Sequence, residues 1–387
     1  MDSAPIYLDH NGTTPVASEV AEAMWPYLTE HFGNPSSTTV LGRRARAAVE
    51  EARERVAALI GAQPDEITFT SGGTESNNLA IRGTAALAVH RVAVTSSVEH
   101  PATIEPLRGL EADGWRVHRL PVDSEGRIFA DQMPEGPIGL GTVILAQNET
   151  GTIQPVAEVA ERIHAAGGVM HADAAQAVGK IVVTVDELGV DLLSIAGHKL
   201  YAPKGVGALY HRRGVSIRPL LVGAGQERGL RPGTENVASI VGLGRAAQLA
   251  GDLLSTEPGR EATLREELWE RLAADIHGLR RVSPTTGCLP NTLMVALPDR
   301  LGADLLDAAP AIAASTGSAC HSGVHTPSAN LLAMGVEPDL ALGALRLTLG
   351  RATQLDDIRR AAQAIINAWH ALGASSRRLQ EPAGGSR

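Results

Sequence analysis

The sequence predicts an α/β protein: a mostly parallel seven-stranded sheet flanked by helices, together with a smaller α+β domain. Three observations carry this. Short apolar strand runs alternate with helical patterns through the first two thirds of the chain. Several of those runs are continuously apolar rather than alternating, which suits a sheet covered on both faces. The last third changes character, with long helical patterns ahead of a few strand candidates. At 387 residues the chain is long enough for two or three domains and needs no disulfide or metal to hold a core.

The strand runs of the first part are EITFT (66–70), RVAVTS (91–96), WRVHRL (115–120), TVILA (142–146), GVMHA (168–172), DLLSIA (191–196) and GVGALY (205–210). Among the helical patterns, 43–61 is the clearest: it carries i,i+4 pairs such as Glu51–Arg55 and stops at Gly61. The pattern at 155–168 opens on a proline and closes on glycines. In the last third, helical patterns at 234–254 and 259–277 precede strand candidates at 291–298, 311–315 and 345–350, and a final amphipathic helix covers about 355–371. The expected division is 16–255 for the large domain, 1–15 with 256–373 for the small one, and 374–387 for a polar, disordered tail.

Composition excludes several classes of function. The chain has 34 basic against 43 acidic residues, a net charge of −9, so it lacks the basic excess that displaces counterions from a nucleic-acid backbone. Aromatics are 3%, too few for single-strand stacking platforms. No apolar run is long enough for a transmembrane helix, and the first residues lack the basic and apolar regions of a secretory signal. Two cysteines, Cys288 and Cys320, are too few for a disulfide scaffold. A cytoplasmic protein with reduced thiols is expected. No His/Cys spacing typical of zinc occurs, so no metal site is expected.

Chemistry concentrates in four segments. SIAGHKLYAPKGVGALY (194–210) places Lys199 after a strand and beside a Gly/Pro turn, where it can form a Schiff base with an aldehyde cofactor; taken alone, it reads as a surface lysine. GGVMHADAAQAVG (167–179) puts Asp173 just past a buried strand. Lysine and carboxylate are the pair a pyridoxal 5′-phosphate site needs, one to hold the aldehyde carbon, the other to keep the pyridine nitrogen protonated. By itself Asp173 could be a helix cap. EITFTSGGTESNNLAIRG (66–83) runs from a strand through a Gly-Gly turn into a helix start near Thr74, which makes an anion cradle or a plain tight turn. STGSACHSGVHTPSANLL (315–332) surrounds Cys320 with Ser, Thr, Gly and His, the composition of a mobile, exposed loop rather than of a buried structural cysteine. His321 and His325 lie nearby in sequence and are candidates to lower its pKa, which spacing alone does not show.

GHKLYAPKG, HADAAQ, SGGTES and QNETG, with YLDHNGTTP, FGNPSS and LRLTLGRAT in the same order, resemble the class V aminotransferases of pyridoxal-phosphate fold type I. More narrowly they resemble the cysteine desulfurases and selenocysteine lyases, over almost the whole chain. The resemblance implies that Lys199 is the Schiff-base lysine and proton carrier, that Asp173 pairs with the pyridinium nitrogen, and that Gln176 faces the phenolic oxygen. It implies that His100 stacks on the ring and acts as acid/base, with Asn148 near ring and substrate. Gly73, Thr74 and His198 would hold the phosphate, and Thr234 would reach the phosphate of a partner subunit, hence a homodimer with shared sites. Arg346 with Asn34 would bind the substrate carboxylate, a task suited to a guanidinium, although Arg346 could also serve a structural ion pair. Cys320 would be the nucleophile that takes sulfur from L-cysteine as a persulfide, leaving alanine, for transfer to an acceptor protein such as an iron–sulfur scaffold. Cys288 matches no family motif and reads as structural.

One departure stands out. Many desulfurases have serine two residues before the His of the His-Lys pair, whereas this chain has Ala196, as selenocysteine lyase-like members have a small apolar residue there. GAGQERGLRPGTEN and LPNT also look closer to that branch, so release of selenium from L-selenocysteine is the alternative. Transamination and non-catalytic cofactor binding are further alternatives.

Overall fold

The computed structural model describes residues 4–316, 318–321 and 324–379, excepting the side chains of 318–321, 324–325 and 374–379. The chain divides into two compact units. The larger comprises Thr13–Asn148 and Thr152–Pro258; the smaller comprises Met1–Gly12, Glu149–Gly151 and Gly259–Arg387.

The larger unit is built on a seven-stranded sheet in the order Ile67–Thr70, Gly207–His211, Leu192–Ala196, Val169–Asp173, Leu140–Ile144, Val92–Ser96, Arg116–Leu120. Only Gly207–His211 runs against the rest. The central strands are buried along their whole length, which is why they read as unbroken apolar runs. Leu140–Ile144 begins two residues before the run TVILA suggests, because Leu140 and Gly141 already pair with Val169 and Met170.

The helix Val40–Leu59 buries Ala45, Ala48, Val49, Ala52 and Val56, one face at helical spacing, and of its Glu and Arg residues buries Arg53 alone. Thr39 caps it by accepting from the Gly42 N–H. It packs closely on Val237–Leu253: a Cβ at Gly244 would stand 2.6 Å from the Ala52 Cα.

In the smaller unit an antiparallel sheet runs Ser315–Thr316, Ala344–Thr348, Thr292–Ala296, Arg280–Arg281. Leu293, Val295, Leu345 and Leu347 meet Leu264, Leu268 and Leu272 of one helix and Ile358, Ala361 and Ile365 of another in a single core. The N-terminal residues belong here, since Ile6–Tyr7 pairs in parallel with Ile312–Ala313. The last helix, Leu355–Leu379, runs past residue 374, because no proline interrupts the chain before Pro382.

The segment around Cys320 corrects the loop expected from its composition. Ser318–His321 pairs antiparallel with Val324–Pro327, with Cys320 opposite His325, and the helix Ala329–Ala333 follows. Backbone pairing supplies what the polar side chains gave no sign of. No single described helix is long and apolar enough to cross a membrane.

Candidate active site

Six parallel strands of the larger unit end at one edge of the sheet, the edge at which open α/β sheets bind ligands, and five of them lead into candidate residues. Ile67–Thr70 leads into Ser71–Thr74, Val92–Ser96 into the turn that carries His100, and Leu140–Ile144 into Gln147 and Asn148. Asp173 ends its strand, and Lys199 closes the short helical turn Gly197–Lys199 after Leu192–Ala196. Asp173 and Ser194 are register partners, so the segments bearing the carboxylate and the lysine leave adjacent strands.

Gly72 has φ +146°, and a Cβ there would meet nothing within 4 Å, so the turn is bare on that side. Gly73 opens a thirteen-residue helix, whose first amides face outward as an anion site. The turn rests on Gly207: a Cβ there would lie 2.7 Å from the Gly72 Cα and 2.5 Å from the Ile195 carbonyl oxygen. Glu75 braces it by accepting from the Ser71 N–H at 2.7 Å. Ala196 sits beside the turn, its Cβ 3.2 Å from where a Gly73 side chain would begin. A serine here would offer the turn a hydroxyl, and alanine does not. His198 Nδ1 lies 3.1 Å from Thr13 Oγ1. Loss of hydration, then the nearby Lys199 and Lys204, pushes His198 down to about 4, so it is a neutral donor at pH 7.

Asp173 is 4% exposed. Its Oδ2 accepts from Asn77 Nδ2 at 2.7 Å and its Oδ1 from the Ala175 N–H at 3.0 Å. Both partners are neutral amides, so its charge is held in place without being cancelled. His100 caps the helix Pro101–Ala112: its Nδ1 accepts from the Ala102 N–H, which puts the proton of the neutral ring on Nε2. Lost hydration lowers its pKa, Asp173 opposes the shift and Lys199 adds to it, so all three groups act on one another. Gln176 is buried, and its Oε1 accepts from Lys180 Nζ at 2.7 Å.

Residues 6–361 match the aminotransferase class-V family. The chain belongs to this family. It is 44% identical to the cysteine desulfurase of Nostoc sp. over 378 residues, 95% of this chain and 94% of that one. It is 45% identical to the cysteine desulfurase IscS of Dictyoglomus turgidum over 362 residues, 91% of each chain. It superposes on the solved structure of a NifS-like protein with a TM-score of 0.89 at 36% identity, across 95% of this chain and 100% of that one. As this class-V aminotransferase it is a pyridoxal-phosphate-dependent enzyme of the cysteine desulfurase kind, with the fold-type-I architecture that the sequence implies.

The larger unit's residues fit that cofactor in chemistry. A bare glycine turn at a helix N-terminus suits the phosphate, a buried carboxylate suits a pyridinium, and a lysine stands on the next strand end. The other expected residues are placed as follows. Asn148 is half-buried at the same edge. Asn34 is exposed, its Oδ1 accepting from the Ser36 N–H. Thr234 is exposed on a segment docked to the strand Ile67–Thr70 through Glu227, which accepts from the Phe69 N–H. In the smaller unit, Arg346 Nη2 donates to Asp9 Oδ1 at 2.7 Å, so the structural ion pair has its partner. The Cys320 side chain lies outside the described residues. Cys288 accepts from Arg265 and donates to the Pro284 carbonyl.

Two residues at this edge escaped the sequence reading: Asn77, which holds Asp173, and Glu99, whose carboxyl is buried beside the His100 turn. A polar residue on the buried face of the helix Gly73–Ala85 was the available signal for the first. Among the described residues no group of three or more His, Cys, Asp or Glu could hold a metal ion.

Proposed function

We propose that the chain removes the sulfur of L-cysteine through Lys199, His100 and Cys320, holds it as a persulfide on Cys320 and passes it to an acceptor protein. The observation that supports this best is the pairing of Asp173 and Lys199 at neighbouring strand ends beside the glycine turn. Pyridoxal phosphate, when bound, supplies an aldehyde that condenses with amines and a ring that withdraws electrons from the substrate Cα. Gly73, Thr74 and His198 hold the phosphate, with Thr234 reaching that of a partner subunit. Asp173 keeps the ring nitrogen protonated, and Gln176 and Asn148 orient the ring and substrate. Lys199 Nζ takes the Cα proton and later returns one. His100 handles the proton of the substrate thiol, for which its Nδ1 first releases the Ala102 N–H. The Cys320 thiolate attacks the substrate sulfur, an S–S bond forms, and the Cβ–S bond breaks with its electron pair taken up by the carbon skeleton, which is protonated to alanine. Arg346 and Asn34 bind the substrate carboxylate, with Asp9 fixing the guanidinium.

A homodimer is part of this reading. In the larger unit Trp25 (63% exposed), Phe32 (74%) and Val40 (72%) are apolar and open to water, as is Val222 (96%) on the chain that leads to Thr234. A second copy of the chain is the partner that covers them. We place the enzyme in the cytoplasm, where a nucleophilic thiol stays reduced.

The test is sulfide and alanine release from L-cysteine by the parent and by Cys320→Ala. The variant loses sulfide release; release at the parent rate would remove Cys320 from its role. L-selenocysteine in parallel separates the lyase alternative, for which Cys320→Ala keeps releasing selenium. Accumulation of a keto acid instead of alanine would point to transamination.

A further inference from the structure

Glu99 carries a buried carboxyl group, one residue before His100, that the mechanism above leaves unused. It is 1% exposed. Its Oε1 accepts from the Ser96 hydroxyl at 2.5 Å and from the Ile144 N–H at 3.0 Å. Its Oε2 is shut off from solvent with no hydrogen-bond partner among the described residues. No arginine, lysine or histidine among the described residues pairs with it. The charged group that acts on it is Asp173, another acid.

These bonds tie three segments together. Ser96 ends the strand Val92–Ser96, and its Oγ also accepts from the Val98 N–H inside the turn to His100. Ile144 ends the strand Leu140–Ile144 and is the register partner of Asp173. Glu99 therefore fastens the turn that presents His100 to the strand end next to Asp173. The groups acting on it are Ser96 from its own turn, the Ile144 amide from one strand and Asp173 from the next.

An ionised carboxylate without a counter-charge is costly in such a place, and two adjacent acids in one dry site do not both ionise cheaply. Each oxygen of Asp173 has a donor, whereas both donors to Glu99 meet one oxygen and its Oε2 has none, so the proton resides on Glu99. Burial pushes its pKa up to about 8, against the opposing hydrogen bonds from Ser96 and Ile144 and with Asp173 adding to the rise.

We propose that Glu99 is a positioning residue of the cofactor pocket: as a neutral carboxylic acid it clamps the His100 turn to the strand end beside Asp173 without adding a second negative charge there. This rests on reading Asp173 and His100 as cofactor contacts.

The experiment compares the parent with Glu99→Gln and Glu99→Leu in two measurements. The first is the pH titration of the visible absorption band after loading with pyridoxal 5′-phosphate. The second is the melting temperature of the cofactor-free proteins from about pH 5 to about 8.5. Glu99→Leu, which removes the clamp, moves the titration midpoint by about half a unit or more, and Glu99→Gln, neutral and nearly isosteric, restores it. In the cofactor-free parent the native carboxyl keeps its proton up to about pH 8 while the unfolded one releases it near 4.5. The contribution of this carboxyl to stability therefore falls as pH rises through that window, and Glu99→Gln removes that fall relative to the parent. A Glu99→Gln midpoint displaced like that of Glu99→Leu, a Glu99→Leu midpoint equal to the parent's, or an unchanged melting slope in Glu99→Gln overturns the proposal. If Glu99→Leu does not fold, the two Glu99→Gln readouts decide. Asp173→Ala keeps the underlying site reading separate: a band that survives unshifted in that variant refutes the site, whatever Glu99 does.

Discussion

Asp173 spends one oxygen on an amide side chain and the other on a backbone N–H, and this arrangement fixes the orientation of its carboxyl group in the chemistry proposed. Asn77→Ala removes the Asn77 Nδ2 donor. Hydrogen bonds to charged groups are worth about 1.5–3 kcal/mol, so cofactor affinity should fall roughly tenfold or more, measured by equilibrium dialysis of the holoenzyme. Affinity equal to the parent's would mean that the carboxylate is held by other means. A second prediction concerns acid. His171 is wholly buried between Thr142 Oγ1 and Ser194 Oγ, at 2.8 and 2.9 Å, and is pushed down to about 4 by desolvation; His198 is at about 4 as well. Between about pH 4 and 6.5 the unfolded chain binds protons that these native imidazoles refuse. Their contribution to stability is thus complete above about 6.5 and lost as pH falls toward 4. Urea titrations across that range should show His171→Asn losing less stability on acidification than the parent. At this scale the sequence is most readable where a polar residue interrupts or closes an apolar strand run, as Asp173 and Lys199 do. Asn77 and Glu99 are unreadable because their burial is made by neighbours distant in sequence.

The glycine turn and the segment 226–236 are set by contacts between elements. Gly207→Ala drives a methyl group into the Gly72 backbone and the Ile195 carbonyl, neither of which is a flexible side-chain end. The cofactor's dissociation constant should rise by at least about tenfold while the melting temperature of the cofactor-free protein falls, and a variant that binds normally would show the turn to be adaptable. Glu227 and Arg228 both hold left-handed conformations, φ 47° and 55°. The backbone is kept there by a buried, two-pronged ion pair, with Arg53 Nη1 and Nη2 each 2.8 Å from a Glu227 oxygen, and by the Phe69 N–H. Breaking one partner of such a pair costs about 3–5 kcal/mol. Glu227→Gln should lower unfolding free energy by an amount of that order in denaturant titration, and a loss within error of zero would remove this role. Strands whose faces are both covered announced themselves in the sequence, whereas Ser318–His321 did not. Its pairing with Val324–Pro327 is a backbone matter, and Ser, Cys and His carry no period-2 apolar signal.

For the whole molecule, the open apolar residues Trp25, Phe32 and Val40 belong in a subunit interface if Thr234 is to serve a partner's phosphate. Trp25→Glu combined with Phe32→Glu should shift sedimentation from dimer toward monomer and lower cofactor affinity in parallel; a monomeric parent would contradict the shared site. The architecture as a whole was legible, because alternating strand and helix patterns leave few ways to wind a parallel sheet. The chemistry was legible through the order of its motifs along the chain. The chain has three lysines, Lys180, Lys199 and Lys204. Holoenzyme reduced with borohydride and digested should yield the pyridoxyl group on the Lys199 peptide alone; its recovery on Lys180 or Lys204, or on no lysine, would contradict the account.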